Sequence, residues 1–258
     1  MQKVSIGFIG GGRITQIFLN ALFGNKNFNA KIIVSDPDSS SIERIGKNFP
    51  GVEMTTQNCD AANQAIVFVA LHPPEIPGAL NEIKNEIKEE TILICLAPKL
   101  KMQYLSESLN SHKNIVRSIP NSPSIIKEGY NPISFYEYFD NALKQKVFEI
   151  FKNFGTFFET EESKLESYAI ITAMGPTYFQ FQIKKLIELA EEFGLTKEES
   201  TLAVKNMLKG MNNLLFSSDL NYEQIMDLIP VRPIQKSEDT IIEIFNSKLI
   251  PLYEKLTS

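Results

Sequence analysis

The chain has 258 residues, 43% hydrophobic and 22% charged, enough apolar material for one large domain or two modest ones. A net charge of −5 offers no basic field to a nucleic-acid backbone. No run is apolar and long enough to span a bilayer, and the amino terminus shows no signal-type apolar region, so a cytoplasmic protein without nucleic-acid or membrane partners is expected.

From residue 1 to about residue 160, β-branched and aromatic runs alternate with amphipathic stretches, the pattern of βαβ units around a mainly parallel sheet. Strands are predicted over residues 3–9, 31–35, 52–56, 65–70, 91–96, 114–119, 132–136 and 156–159. The unbroken apolar run Ala65-Ile66-Val67-Phe68-Val69-Ala70 suits a strand buried on both faces. Cys59 and Cys95 stand outside any CxxC or Cys/His cluster, so neither a disulfide framework nor a metal site is expected.

Beyond residue 160 the period-2 runs stop, and helical periodicity takes over through residues 178–193, 197–216 and 240–256. Gly194 reads as the residue closing one helix and Thr196-Lys197-Glu198-Glu199 as the capped start of the next. A nucleotide-binding domain over 1–160 and an all-helical domain over 161–258 follow. The helices carry more apolar surface, Leu186, Leu202, Met207 and Met211 included, than a domain of about a hundred residues buries alone. A homodimer or higher homo-oligomer through the helical domain is therefore expected.

The first strand runs into Gly7-Phe8-Ile9-Gly10-Gly11-Gly12-Arg13-Ile14-Thr15 and then into an amphipathic stretch over residues 16–23. A strand, a tight glycine turn and a helix start place backbone N–H groups and the positive end of a helix against a pyrophosphate, which is the signature of a Rossmann-type, doubly wound parallel sheet. Gly10, Gly11, Gly12, Arg13 and Ile14 are therefore candidate cofactor ligands. Gly10 permits the turn and Gly12 removes the Cβ that would block a phosphate. Thr15 fills the third position, where Gly or Ala is usual. The second strand ends at Ser35 and delivers Asp36 about twenty residues beyond the glycines, a carboxylate suited to the adenosine ribose hydroxyls. That favours NAD over NADP. In the contrary reading Ser39, Ser40, Ser41 and Arg44 cradle a 2′-phosphate while Asp36 caps the following turn.

Three further segments carry a family resemblance. Asn114-Ile115-Val116-Arg117-Ser118-Ile119-Pro120-Asn121-Ser122-Pro123 is similar to the Val-Arg-x-Met-Pro-Asn-Thr-Pro segment of pyrroline-5-carboxylate reductases. Glu162 to Glu166, followed by Thr172-Ala173-Met174-Gly175-Pro176-Thr177-Tyr178, resembles that family's Glu-x-x-x-Asp and Ser-Gly-Ser-Gly-Pro-Ala-Tyr; Val67-Phe68-Val69-Ala70-Leu71-His72-Pro73 resembles its Val-Phe-Leu-Ala-Val-Lys-Pro, with His72 in place of the lysine. The resemblance implies a Rossmann domain joined to a helical dimerisation domain, with NADH or NADPH facing a proline-precursor imine. Pro120, Asn121, Ala70 and His72 would flank the cofactor, and Asn121, Thr172 and Tyr178 become candidate catalytic residues. Hydride addition to a protonated imine needs mainly positioning, so no strong side-chain acid is demanded.

The chain departs from that family at the substrate end. Where the family has Ser-Pro-Gly-Gly-Thr-Thr, this chain reads Pro230-Val231-Arg232-Pro233-Ile234-Gln235-Lys236-Ser237. Arg232 and Lys236 read either as cations that hold a substrate carboxylate or as solvated loop charges beside the last helix. Met174 replaces a serine and donates no hydrogen bond; Met174, Gly175, Arg232 and Lys236 are the candidate substrate residues. Among the rest, Glu162 and Glu166, spaced i, i+4, read either as neighbours of the site or, more simply, as like-charged, exposed helix residues, and His112 reads as a solvent-exposed turn residue. Three functions stay open: reduction of pyrroline-5-carboxylate to proline; reduction of another imine or keto acid on the same framework, with an F420-linked oxidoreductase as a remoter version; and dinucleotide binding without catalysis.

Overall fold

The computed structural model describes residues 4–258, so the first residue of the first predicted strand, Lys3, lies outside the described residues. All eight predicted strands form, as β1 (Val4–Ile9), β2 (Ala30–Ser35), β3 (Val52–Thr55), β4 (Ile66–Val69), β5 (Ile92–Cys95), β6 (Ile115–Ser118), β7 (Gly129–Phe135) and β8 (Gly155–Glu159). They make one sheet of order β3-β2-β1-β4-β5-β6-β7-β8, in which β1 to β6 run parallel. β7 pairs antiparallel with β6, and β8 follows β7 in parallel. Strand order reverses between β1 and β4, which makes their carboxyl ends the place where a doubly wound sheet takes a ligand.

Helices α1 (Arg13–Phe23), α2 (Ser39–Asn48), α3 (Asn58–Ala62), α4 (Ile76–Ile83), α5 (Met102–Ser108), α6 (Lys144–Phe151) and α7 (Leu165–Tyr168) accompany the strands. Period 2 divides each central strand between two cores. Phe8, Val34 and Phe68 pack with α1, α2 and α6 on one face. Ile9, Ile33, Val67 and Val69 pack with α3, α4 and α5 on the other. Phe18 of α1 is fully buried, stacked on Phe154 at 3.8 Å between ring centres and meeting Phe68 and Phe151 edge-on. Gly7 is needed for close packing, because a Cβ there would stand 1.9 Å from the Ala61 carbonyl oxygen.

Two expectations are corrected in this region. His112 is buried, with Nε2 2.9 Å from the Thr91 carbonyl oxygen, and burial lowers its pKa below the ordinary histidine value. Glu162 and Glu166 are not merely exposed like charges: Glu166 is buried, and both carboxylates face one arginine. The cysteines are free thiols, Cys95 buried in β5 and Cys59 half-buried.

The chain divides into two compact units: one runs to Met174 and takes in Tyr253–Ser258, and the other is Gly175–Leu252. The second contains α8 (Gly175–Glu192), α9 (Lys197–Ser217), α10 (Tyr222–Asp227) and most of α11 (Glu238–Thr257). Gly194 closes α8 with φ +99°, and Thr196 and Glu199 cap α9 reciprocally. Helix α10, absent from the sequence reading, starts at the equivalent cap Asn221–Gln224. In this unit only Gly175, Ser200 and Val204 are buried. Among the described residues no helix is long and apolar enough to cross a membrane.

Candidate functional site

At the carboxyl ends of β1, β2, β4 and β5 lies a cleft of about 860 Å³, lined by Gly10, Gly12, Arg13, Ile14, Asp36, Ala70 and His72 among others. Seven residues expected at a cofactor from the sequence thus share one cavity wall. Gly10 adopts φ +100°, and a Cβ on it would approach the Ala70 carbonyl oxygen to 2.7 Å, so the turn requires glycine there. A Cβ on Gly12 would meet nothing within 4 Å and would stand in open cleft.

The side chains behind the turn hold its carbonyls back. Thr15, fully buried, donates its hydroxyl to the Gly10 carbonyl at 2.5 Å, and the Gln16 amide donates to the Gly11 and Gly12 carbonyls at 3.2 and 3.4 Å. Helix α1 has no side-chain cap and no acidic residue in its first turn. Its first amides therefore keep their positive end for an anion. Thr15 serves the turn by a hydrogen bond where a smaller residue would serve it by size. These features fit a dinucleotide diphosphate.

Asp36 stands half-buried after β2, where Oδ2 accepts from the Gly11 amide at 2.7 Å and Oδ1 from the Asp38 amide at 2.8 Å. The cap of α2 is Asp38, whose carboxyl the Ser40 hydroxyl and amide hold below its ordinary pKa. Arg44 also lines the cleft, its guanidinium donating to the Ser41 hydroxyl at 3.1 Å. The Ser35 hydroxyl is buried and donates to Asn58 at 2.8 Å, while the Ser35 carbonyl accepts the Gly10 amide at 2.8 Å. Ser35 and Gly11 therefore stand behind the cleft and support it. On the far wall His72 is exposed at the start of the turn Pro73–Glu75, beside Leu96, Ala97 and Pro98, three residues that the sequence did not single out.

The remaining candidates are not among the residues lining this cleft. Pro120 and Asn121 are buried, and the Asn121 amide group donates to the Tyr130 carbonyl at 2.7 Å. Thr172 lies in a π-helical turn, Ala169–Ala173, and donates to the Tyr168 carbonyl at 2.8 Å. Met174 is half-buried and Gly175 buried. In the helical unit Tyr178 meets Phe245 edge-on at 5.8 Å between ring centres, and burial raises its phenol pKa. Arg232 is ion-paired with Glu238, and Lys236 is exposed in the short turn Gln235–Ser237.

One cluster escaped the sequence reading. Arg117 of β6 is 1% exposed, with Nη1 3.0 Å from Glu162 and Nη2 2.7 Å from Glu166. Burial disfavours its charge, but the Glu166 carboxylate and the hydrogen bonds that the guanidinium donates to both glutamates outweigh this and raise its pKa. A charged residue inside the apolar run Ile115-Val116-Arg117-Ser118-Ile119 was the available signal, because a buried guanidinium must find partners.

Known proteins share this fold. The family model described as NADP oxidoreductase, coenzyme F420-dependent, matches residues 5–98. The pyrroline-5-carboxylate reductase of Staphylococcus epidermidis is 24% identical over 225 residues, 84% of this chain and 81% of that protein. The crystal structure of Plasmodium falciparum pyrroline carboxylate reductase with NADP bound superposes with a TM-score of 0.77 at 22% identity, over 100% of this chain and 95% of that one. A pyrroline-5-carboxylate reductase from Coxiella burnetii gives 0.71 at 23% identity, over 99% and 94%.

Proposed function

We propose that this relative of the pyrroline-5-carboxylate reductases is an NAD(P)H-dependent oxidoreductase that reduces a cyclic imine, first among them pyrroline-5-carboxylate to proline. The observation that carries the reading is the open space over Gly12 at an uncapped helix start, flanked by Asp36 on one side and Ala70 and His72 on the other. When bound, the reduced nicotinamide supplies the hydride. The chain's part is to bind and orient: the amides of Gly12, Arg13 and Ile14 take the diphosphate, and Asp36 accepts from the adenosine ribose hydroxyls, which favours NADH. Arg44 on the same cleft supports NADPH as the second cofactor. The resemblance assigns Asn121, Thr172 and Tyr178 to catalysis. It gives Met174, Gly175, Arg232 and Lys236 the substrate.

The test is turnover. Purified protein given pyrroline-5-carboxylate oxidises NADH or NADPH; no turnover with either, where a known reductase works, removes this substrate. The Arg232–Glu238 pair in place of the family's hydroxyls and amides favours a second reading, a larger or differently charged imine or keto acid, and a substrate panel with an F420-type acceptor decides between them. Tight dinucleotide binding without hydride transfer to any candidate would leave a non-catalytic binding protein.

The helical unit supports a homodimer or higher homo-oligomer. It buries only Gly175, Ser200 and Val204, while Phe181, Leu202, Met211 and Ile242 stay exposed on helices that need a cover. Sedimentation giving the monomer mass of 29.2 kDa at working concentrations would overturn this.

A further inference from the structure

The chain between β5 and α5 forms part of the cleft wall without holding itself in place. Ala97 and Pro98 line the cleft, Lys99 adopts φ 75° without being glycine, and Lys101 gives α5 no side-chain cap. Three backbone groups of this strap are instead bound by the buried ion cluster. Arg117 Nη2 donates to the Ala97 carbonyl at 3.3 Å, the Lys99 amide donates to Glu166 at 2.9 Å, and the Met102 amide donates to Glu162 at 2.7 Å. The two carboxylates are held in turn by the same guanidinium. A planar, forked cation suits this work, since it bridges two carboxylates and a carbonyl at once.

We infer that Arg117 is a positioning residue which, through Glu162 and Glu166, fixes the strap over residues 97–102 as the nicotinamide-side wall of the cleft. The inference rests on the proposed dinucleotide reading of that cleft. A dinucleotide lying across the glycine turn places its adenosine half over β2 and Asp36, and its other half across the switch point toward β4 and β5. The strap follows β5, so it meets only the nicotinamide half. Arg117 sets a wall that it does not itself line.

The experiment uses the full chain and three variants. Arg117→Met with Glu166→Gln removes both buried charges together, where Arg117→Met alone would strand a carboxylate. Glu162→Gln weakens one arm at a partly exposed residue and keeps the fold. Hydrogen exchange at the Lys99 and Met102 amides is expected to quicken in the double variant, and at Met102 in Glu162→Gln, while amides in β1 and β4 keep their protection. NADH and NADPH affinity, read by nicotinamide fluorescence, is expected to fall by about ten- to a hundredfold in the double variant, as for a displaced positioning element. ADP-ribose affinity, read by calorimetry, is expected to stay within about twofold, and Arg117→Lys to restore part of the loss. Unchanged exchange, or equal weakening of ADP-ribose and the full dinucleotide, would overturn the inference. If the wild type binds no dinucleotide, the functional reading fails first, and with it this one; that failure is visible before any substitution is made.

Discussion

The two units spend their apolar residues differently. In the first, Phe8, Phe18, Phe68, Phe151 and Phe154 are enclosed by the chain's own sheet and helices. In the second, Phe181 is 67% exposed and Phe216 80% exposed, although the helices carrying them are as regular as any in the first. A hydrophobic pattern states that a face is to be covered, and it leaves open which chain covers it.

That contrast is breakable, most strongly in the sheet. Phe18→Ala removes a ring packed against three others and is expected to cost about 3–5 kcal/mol of unfolding free energy, read from a urea titration. At the cleft, Gly12→Val fills space that the protein leaves empty. Its expected effect is at least a hundredfold loss of dinucleotide affinity, about 2.7 kcal/mol, with an unchanged Tm; unchanged affinity in the folded variant would refute the placement. In the helical unit, Phe181→Glu is expected to weaken self-association by about 2 kcal/mol by sedimentation while leaving the secondary structure by circular dichroism intact.

Two smaller effects sharpen the picture. Arg232→Ala is expected to raise KM by about tenfold, or ~1.4 kcal/mol, the lower end for a charge-assisted contact because Glu238 already answers part of the arginine's charge. An unchanged KM would leave Arg232 as half of a surface pair. His112 gives a pH signature: its folded pKa lies below the unfolded value, so below about pH 6.5 the unfolded chain takes up a proton that the folded one refuses. Stability is fully present above that pH and falls as pH drops toward the folded pKa. In His112→Gln this part of the slope, measured by denaturation at a series of pH values, should vanish.

The sheet was legible because strands buried on both faces must be apolar throughout, and Ile66–Val69 and Ile92–Cys95 are. The glycine turn was legible because its chemistry is local. Arg117, Glu162 and Glu166 were not, since their contacts span 45 and 49 positions and no period joins them. His112 was misread for the same reason: its polar neighbours suggested solvent, whereas its ring reaches Thr91, 21 residues away. The strap residues Ala97 and Pro98 carry no reactive group, and only the fold places them on the cleft.

Asp36 has a further consequence for anyone wishing to change cofactor preference. Its carboxylate is already splinted by the Gly11 and Asp38 amides, so in the proposed dinucleotide complex it would meet the ribose with its rotamer frozen and little entropy left to lose. The same splint makes it a poor site for redesign. Replacing Asp36 with a small neutral residue to admit a 2′-phosphate would also release the Gly11 amide and loosen the turn on which the diphosphate is proposed to rest. A preference switch is better sought at Ser39, Ser40 or Arg44, which are exposed on α2 and whose replacement leaves the Gly11–Asp36 tether in place.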